Sequence, residues 1–334
     1  MKKLLGIIAF LLVLYIFLLN AHERAGSLDN HLNLAERIGT FGVISIGAGI
    51  LIVSGGIDLS IGSFGVQAAN SFAMLLNKGF ALPVAIGLVL LLGCGIGLLH
   101  GLLVTKLRVQ AFVVTLCGLF AYRGIARWLA GDKPLALLDT YVTMKYEFLD
   151  EYGILYQLAY LDVLIVLGII ATIFLHFSAH GRYLVAIGNN ERAALYSGIR
   201  VDRYKIFAYI QCSGLAACFG ILYMFRLDQV QPSSAMSFFE LYAIAAAVLG
   251  GCSLRGGEGL VLGMIIGTCI LQLLENLVNM YRIPSELTST VVGGALLLGV
   301  ILDEQLRRKS DKPSIASVLF WRSVRFVGRW VGRR

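Results

Sequence analysis

Apolar runs of 14 to 22 residues alternate with short polar segments along almost the whole chain, at 4–19, 38–54, 63–77, 83–104, 111–130, 161–178, 206–225, 238–251, 258–277 and 285–302. A helix needs about 20 apolar residues to cross a hydrocarbon core roughly 30 Å thick. The pattern therefore predicts an all-α membrane protein of about ten transmembrane helices. The first run follows Lys2 and Lys3 and precedes small residues, the arrangement of a secretory signal. Nine further runs follow it, so 4–19 is expected to be a retained first helix.

Composition agrees. Only 14% of the 334 residues are charged and 58% are hydrophobic, whereas a soluble surface of this size needs about 25% charged residues. The 38 glycines suit helices that approach one another closely in lipid. The six cysteines form no C-x-x-C pair and read as small apolar residues, so neither a metal site nor a disulfide framework is suggested. No H-E-x-x-H spacing and no G-x-x-x-x-G-K-[ST] phosphate loop occurs, so neither a metal nor a catalytic residue is expected. Any ATP this protein uses must bind to another chain.

Charge sets the orientation. With the N-terminus inside, the cytoplasmic segments hold 19 of the 28 Lys and Arg, 9 of them after residue 302. Acidic residues divide the other way, 7 inside and 13 outside. Excess Lys and Arg marks the cytoplasmic side, so both termini are expected there. The net charge of +8 then reflects topology, and nucleic-acid binding is not expected. In the basic tail at 304–334, Arg322, Arg325, Arg329 and Arg333 share one helical face, as expected of an amphipathic helix lying on anionic lipid.

Two turns resemble each other: GGIDLSIG at 55–62 and GGCSLRGG at 250–257. They match as G-G-x-[DS]-L-x-x-G, and both fall on the cytoplasmic side. Gly55, Gly56, Gly250 and Gly251 permit a tight reversal, while Asp58 or Ser253 is placed to cap the next helix. Same-direction copies imply an internal parallel repeat, a common way to build transporters. The longest internal cytoplasmic loop, 179–205, contains the helix-forming string Glu191-Arg192-Ala193-Ala194-Leu195, with Gly198 as its C-terminal stop.

The strings IVSGGIDLSIGSF, TLCGLFAYRGIA, GRYLVAIGNNERAALYSGIRVDRYK and ELYAIAAAVLGGCSLRGGEGLVLGMIIGT, in that order over about 38–303, resemble the ribose-type, or monosaccharide, permeases of binding-protein-dependent ATP-binding-cassette (ABC) importers. That family also includes branched-chain amino-acid permeases. The resemblance implies a homodimer or related heterodimer of permease subunits in the bacterial inner membrane. Two cytosolic ATPases, which bind ATP and Mg, and an extracytoplasmic solute-binding protein would complete the importer. It also implies three parts: 1–37 as first helix and outer loop, 38–303 as the permease domain, and 304–334 as the tail. Residues from Gly188 to Gly198 would form the coupling helix, with Asn190, Glu191, Arg192 and Ser197 touching the ATPase and Ala194 and Leu195 packing it. Cys117 and Cys252 depart from the family pattern, and the acidic outer segment 131–160 is variable in it, a place where a binding protein would dock.

A sugar carries no charge, so its path needs hydroxyl partners, and polar residues within spans are the candidates. Gln67 and Asn70 share one face of the third span; Gln272, Glu275 and Asn276 share one face of the ninth. Facing stripes would line a cavity, and the same residues would equally serve interhelical hydrogen bonds. Glu240, beside Phe238, Phe239 and Tyr242, is expected near the entrance, and His100 and His176 in interfacial packing. An ion-coupled secondary transporter would have Asp58 and Glu275 available but shows no relay chain, and an importer for branched-chain amino acids or nucleosides is the nearer alternative.

Overall fold

A computed structural model of the chain describes residues 2–21 and 23–284, with 287, 290, 293, 294 and 297 beyond them. The chain divides into two compact units, Met1–Thr288 and Ser289–Arg334. The tenth apolar run and the basic tail lie outside the described residues, except for those five positions, which are helical.

The first unit is helical almost throughout. Its helices are α1 (Lys2–Ala21), α2 (Leu28–Val53), α3 (Ile61–Asn77), α4 (Leu82–Thr105), α5 (Ala111–Leu129), α6 (Asp139–Tyr152), α7 (Ile154–Thr172), α8 (Ala179–Asn189), α9 (Glu191–Tyr196), α10 (Val201–Leu227), α11 (Phe239–Leu249) and α12 (Val261–Met280). A 3-10 turn at Glu23–Gly26 precedes α2, and a π-helical turn at Ile173–Phe177 ends α7. Among the described residues six segments are long and apolar enough to cross a membrane alone: α2, α4, α5, α7 with its π turn, α10 and α12.

Three differences from the hydropathy pattern have physical causes. The second run starts ten residues early, because Ser27 caps α2 by accepting a hydrogen bond from the Asn30 N–H. The helical stretch before residue 38 is polar enough to read as loop, yet it buries Asn30, Leu32 and Leu34. The segment 131–160 forms regular structure, with strand β1 (Leu135–Ala136) antiparallel to β2 (Gln229–Val230), followed by α6. Arg127 holds Asp132 in this segment by two hydrogen bonds, of 2.9 and 2.7 Å, which keep its carboxyl below the usual carboxylate range. Finally α11, with 11 residues, is only about 16 Å long at 1.5 Å per residue. It cannot cross a hydrocarbon core by itself.

α2 is the axis of the bundle, with α7, α10, α11 and α12 packed around it. Val43 to Val53 are buried on every face, as expected of a helix enclosed by others. α10 packs along α4 through a ladder of glycines, Gly93, Gly97 and Gly101. Spaced by four, they form one stripe, and a Cβ at Gly97 would overlap the Tyr209 carbonyl of α10. The opposite face of α4 exposes Leu88, Leu91, Leu98 and Leu102, a surface for lipid or another subunit. Small residues let two backbones approach where lipid offers no hydrophobic drive for helix association.

Candidate functional site

Three segments that the sequence keeps far apart converge. The first is the turn after α2, the second the turn after α11, and the third the end of α8. Both turns begin in the same way. Gly55 follows Ser54 in the left-handed conformation (φ 80°), with Gly55 N–H on the Ile52 carbonyl and Gly56 N–H on the Leu51 carbonyl. Gly251 (φ 94°) follows Gly250 with the equivalent bonds to Val248 and Ala247. This is the Schellman ending, in which a left-handed residue lets the last carbonyls find donors. It pairs Gly55 with Gly251, whereas the sequence match pairs Gly55 with Gly250. The two turns are the same device offset by one residue.

Neither Asp58 nor Ser253 caps the helix that follows it, contrary to the expectation from sequence. α3 starts at Ser60 without a side-chain cap, and α12 starts at Leu260 likewise. Asp58 instead accepts from the Ser60 N–H (2.8 Å) and hydroxyl (2.6 Å). The Ser253 hydroxyl accepts from the Arg255 N–H within its own turn. The first helical residues are Ile61 of α3 and Val261 of α12, and neither side chain bonds a first-turn amide of the helix that follows it.

Gly188, at the end of α8, fills the space between the turns. A Cβ there would overlap the Val53 carbonyl and the Gly257 amide nitrogen. Gly257 N–H donates to the Val53 carbonyl (2.9 Å), and the Asn189 amide donates to the Gly257 carbonyl (3.3 Å). Gly256, also left-handed, sits against Gly55 and Gly188. The segments touch by backbone, so a movement of one is felt by the others without slack.

From this node the chain continues into α9. Asn190 caps it by accepting from the Ala193 N–H (3.0 Å), and Gly198 (φ 83°) ends it with Ile199 N–H on the Ala194 carbonyl. Ala194 packs on Ile187 and Val201, which fixes α9 to its base. Glu191, Arg192, Leu195, Tyr196, Ser197 and Gly198 are exposed, and Tyr196 keeps 88% of its surface. Lys205 ties Glu191 to α10 at 2.6 Å. A six-residue helix cannot be stable alone, so α9 is a rigid knob only because its two caps and its apolar foot hold it.

The polar stripes lie in two different neighbourhoods. α3 packs mainly on α4, α5 and α10, and α12 on α1, α2 and α11. Asn70 donates to the Ala126 carbonyl of α5 (3.2 Å), and Asn276 donates to Asn30 of α2 (2.8 Å). Glu275 takes a 2.9 Å ion pair from Arg37. Gln67, Asn70, Gln272 and Asn276 each keep a buried oxygen with no hydrogen-bond partner, an arrangement that costs free energy unless water or a ligand answers it. Glu240 is buried rather than at a rim. Its carboxylate lies against Gly62 at the start of α3 and has an unpartnered oxygen, while Phe239 stacks among Phe41, Phe219 and Tyr223.

The Arg37–Glu275 pair is expected to be structural. Replacing Arg37 with methionine strands the Glu275 carboxylate at a cost of roughly 1–3 kcal/mol. Adding Glu275→Gln is expected to recover most of it. Thermal unfolding of the two variants in detergent checks this; equal losses in single and double variants would contradict it.

A family described as the permease component of branched-chain amino acid transport systems matches residues 30–301. The chain belongs to this family. It is 34% identical over 302 residues to the ribose import permease protein of Escherichia coli K12, which covers 88% of this chain and 92% of that protein. The ribose import permease protein of Bacillus subtilis is 35% identical over 304 residues, covering 90% and 91%. The autoinducer 2 import system permease protein of Yersinia enterocolitica is 35% identical over 266 residues, covering 79% and 72%. No solved structure matches. The protein is thus a transport-system permease, a multi-pass protein of the bacterial inner membrane and not an enzyme. In such a permease the geometry above acquires a direction. An exposed knob is bonded through backbone to two turns, and each turn opens a helix of the bundle.

Several residues of the node escape sequence reasoning. Asn189, Gly256 and Gly257 lie at the edges of the motifs, and only the fold shows that they touch. Arg37 falls in a segment that hydropathy assigns to a loop.

Proposed function

We propose that the chain is the membrane-crossing subunit of an ABC importer that moves a monosaccharide of the ribose type into the cytoplasm by alternating access. In this reading it crosses the membrane ten times with both termini cytoplasmic. It pairs with a second permease subunit, receives sugar from an extracytoplasmic binding protein, and docks two ATPases that bind the ATP and Mg. The relatives named for ribose import support the substrate class. One observation carries the mechanism: α9 is exposed along Glu191–Ser197, and its base is continuous with the backbone node at Gly188.

α9 is then the coupling helix, seated in the ATPase. When ATP closes the ATPase pair, α9 moves as a rigid body. Gly188 and Asn189 carry that motion to the turns at 54–60 and 250–257, shifting α3 and α12 against the α2 axis. Packed interfaces of this kind change between discrete arrangements instead of deforming gradually. The buried amides Gln67, Asn70, Gln272 and Asn276, together with Glu275, are the polar groups that such a shift would offer to a sugar.

Co-expression with an ATPase and a binding protein tests this. Glu191→Lys reverses the charge on the exposed face of α9, and Gly198→Leu forces a side chain into a left-handed position. Each is expected to lower ATPase co-purification at least tenfold, with the amount of permease in the membrane unchanged. Normal docking and uptake in both variants would remove the coupling assignment. Sugar uptake driven by a proton or sodium gradient without an ATPase would replace the importer reading with a secondary transporter.

A further inference from the structure

The turn at 54–60 does not stop at the node. Asp58 is 3% exposed, and its second carboxylate oxygen lies 3.3 Å from Nδ1 of His100 on α4. The other ring nitrogen of His100, Nε2, lies 2.8 Å from the hydroxyl of Tyr122 on α5. His100 is itself 1% exposed and Tyr122 6%. On the opposite side the Tyr209 hydroxyl of α10 donates to the Ile57 carbonyl (3.3 Å). A Cβ at Gly118 of α5 would press on Ser60, Tyr122 and His100 at 3.0 to 3.1 Å, so the helices close on this chain of groups without spare room.

We infer that Asp58, His100 and Tyr122 are positioning residues that pass the displacement of the first turn to α4 and α5. The inference rests on the reading of α9 as the coupling helix. Its ground is an asymmetry between the two turns. Both touch Gly188, but Asp58 of the first is bonded to His100 on α4, beyond the node. The matching Ser253 is half-buried and bonds within its own loop. α5 packs mainly on α3, and α4 on α10.

Stability alone is a weak account of such a chain. An ionisable pair buried this completely gives up its hydration, and apolar replacements of similar volume are often as stable or more so. Intramembrane acids and histidines are costly and mark function by default. What the polar chain adds is direction. A carboxylate, a ring with two opposed nitrogens and a hydroxyl hold three elements at fixed distances, where apolar contacts would allow sliding. The ring does this as the Nδ1–H tautomer, in which Asp58 accepts from Nδ1–H while Nε2 accepts from the tyrosine hydroxyl.

The experiment uses the assembled transporter in proteoliposomes. Uptake is followed for the sugar that the wild type moves in a pentose and hexose panel, alongside ATP hydrolysis and ATPase co-purification. Asp58→Leu, His100→Leu and Tyr122→Phe are expected to retain ATPase docking and at least half the hydrolysis rate, while uptake per ATP falls about tenfold. Asp58→Asn still accepts from Ser60 and reaches His100, so it is expected to keep at least half of wild-type uptake. Asp58→Leu combined with Tyr122→Phe is expected to lose no more than the worse single variant, because each breaks the same chain. Uptake per ATP within twofold of wild type in His100→Leu and Asp58→Leu would overturn the inference. So would a parallel fall of docking, hydrolysis and uptake, which marks a purely structural role. The coupling reading is judged separately by Glu191→Lys, which leaves these residues untouched: docking retained there fails that reading whatever the relay variants do.

Discussion

Gly188→Val is expected to abolish import, lowering uptake at least a hundredfold per permease molecule in the membrane. The position has no slack. A Cβ there overlaps the Val53 carbonyl at the end of α2 and the Gly257 amide in the second turn, both main-chain atoms. A flexible side chain could step aside, but main chain moves only with its helices. The Gly257 N–H to Val53 carbonyl bond would be wedged open, and the two turns would separate from each other and from α8. Overpacking at an ordinary core site costs about 1–3 kcal/mol, which a membrane bundle of this size tolerates. The larger loss is expected in coupling, because α9 would remain exposed and able to dock while its base no longer touched both turns. Gly188→Ala is expected to fall between, at about tenfold. Uptake in proteoliposomes, normalised to permease content and to bound ATPase, measures both. Uptake near wild type in the valine variant would show that the node carries no motion.

The comparison with Gly55 shows where sequence reading succeeds and where it stops. Glycine pairs flanked by apolar runs announce turns, and the helix ends at Gly55 and Gly198 follow from local chemistry alone. Local rules do not report which distant turns touch. The convergence of residues 55, 188 and 256 depends on the packing of α2, α8 and α11, which no spacing in the chain encodes. Asp58 illustrates the same limit. A carboxylate two residues after a glycine pair suggests a cap, and only the fold shows that it meets His100, 42 positions away. Hydropathy recognised the long apolar segments well, since six of them are helices of membrane-crossing length. It located α11 within two residues at each end but could not show that an 11-residue helix is only about 16 Å long, because composition alone does not separate a short enclosed helix from a full span.

The other segment whose function depends on close approach is the glycine ladder of α4, and it provides its own control. Gly97→Leu is expected to remove most folded permease, whereas Gly95→Leu, two residues away, is expected to be nearly neutral. A Cβ at Gly97 overlaps the Tyr209 carbonyl and crowds Ile210 of α10, while one at Gly95 meets nothing within 4 Å. Both substitutions add the same apolar side chain to the same helix, so insertion into the bilayer is equally favoured. They differ only in packing. α4 lies along α10, and α10 contributes Tyr209, Ser213, Ala216, Ala217 and Phe219 to the buried interior. Pushing the two axes apart by the width of a leucine opens the contact along its length, a loss of several overpacked sites at roughly 1–3 kcal/mol each. Native proteins have about 5–15 kcal/mol to lose, so unfolding or failed assembly is the expected outcome for position 97. Membrane fractionation should find both variants inserted in similar amounts. Thermal unfolding in detergent and trypsin resistance should then separate them, with Gly95→Leu within a few degrees of wild type and Gly97→Leu lacking a cooperative transition. Equal stability of the two would mean that α4 and α10 are not held by this ladder.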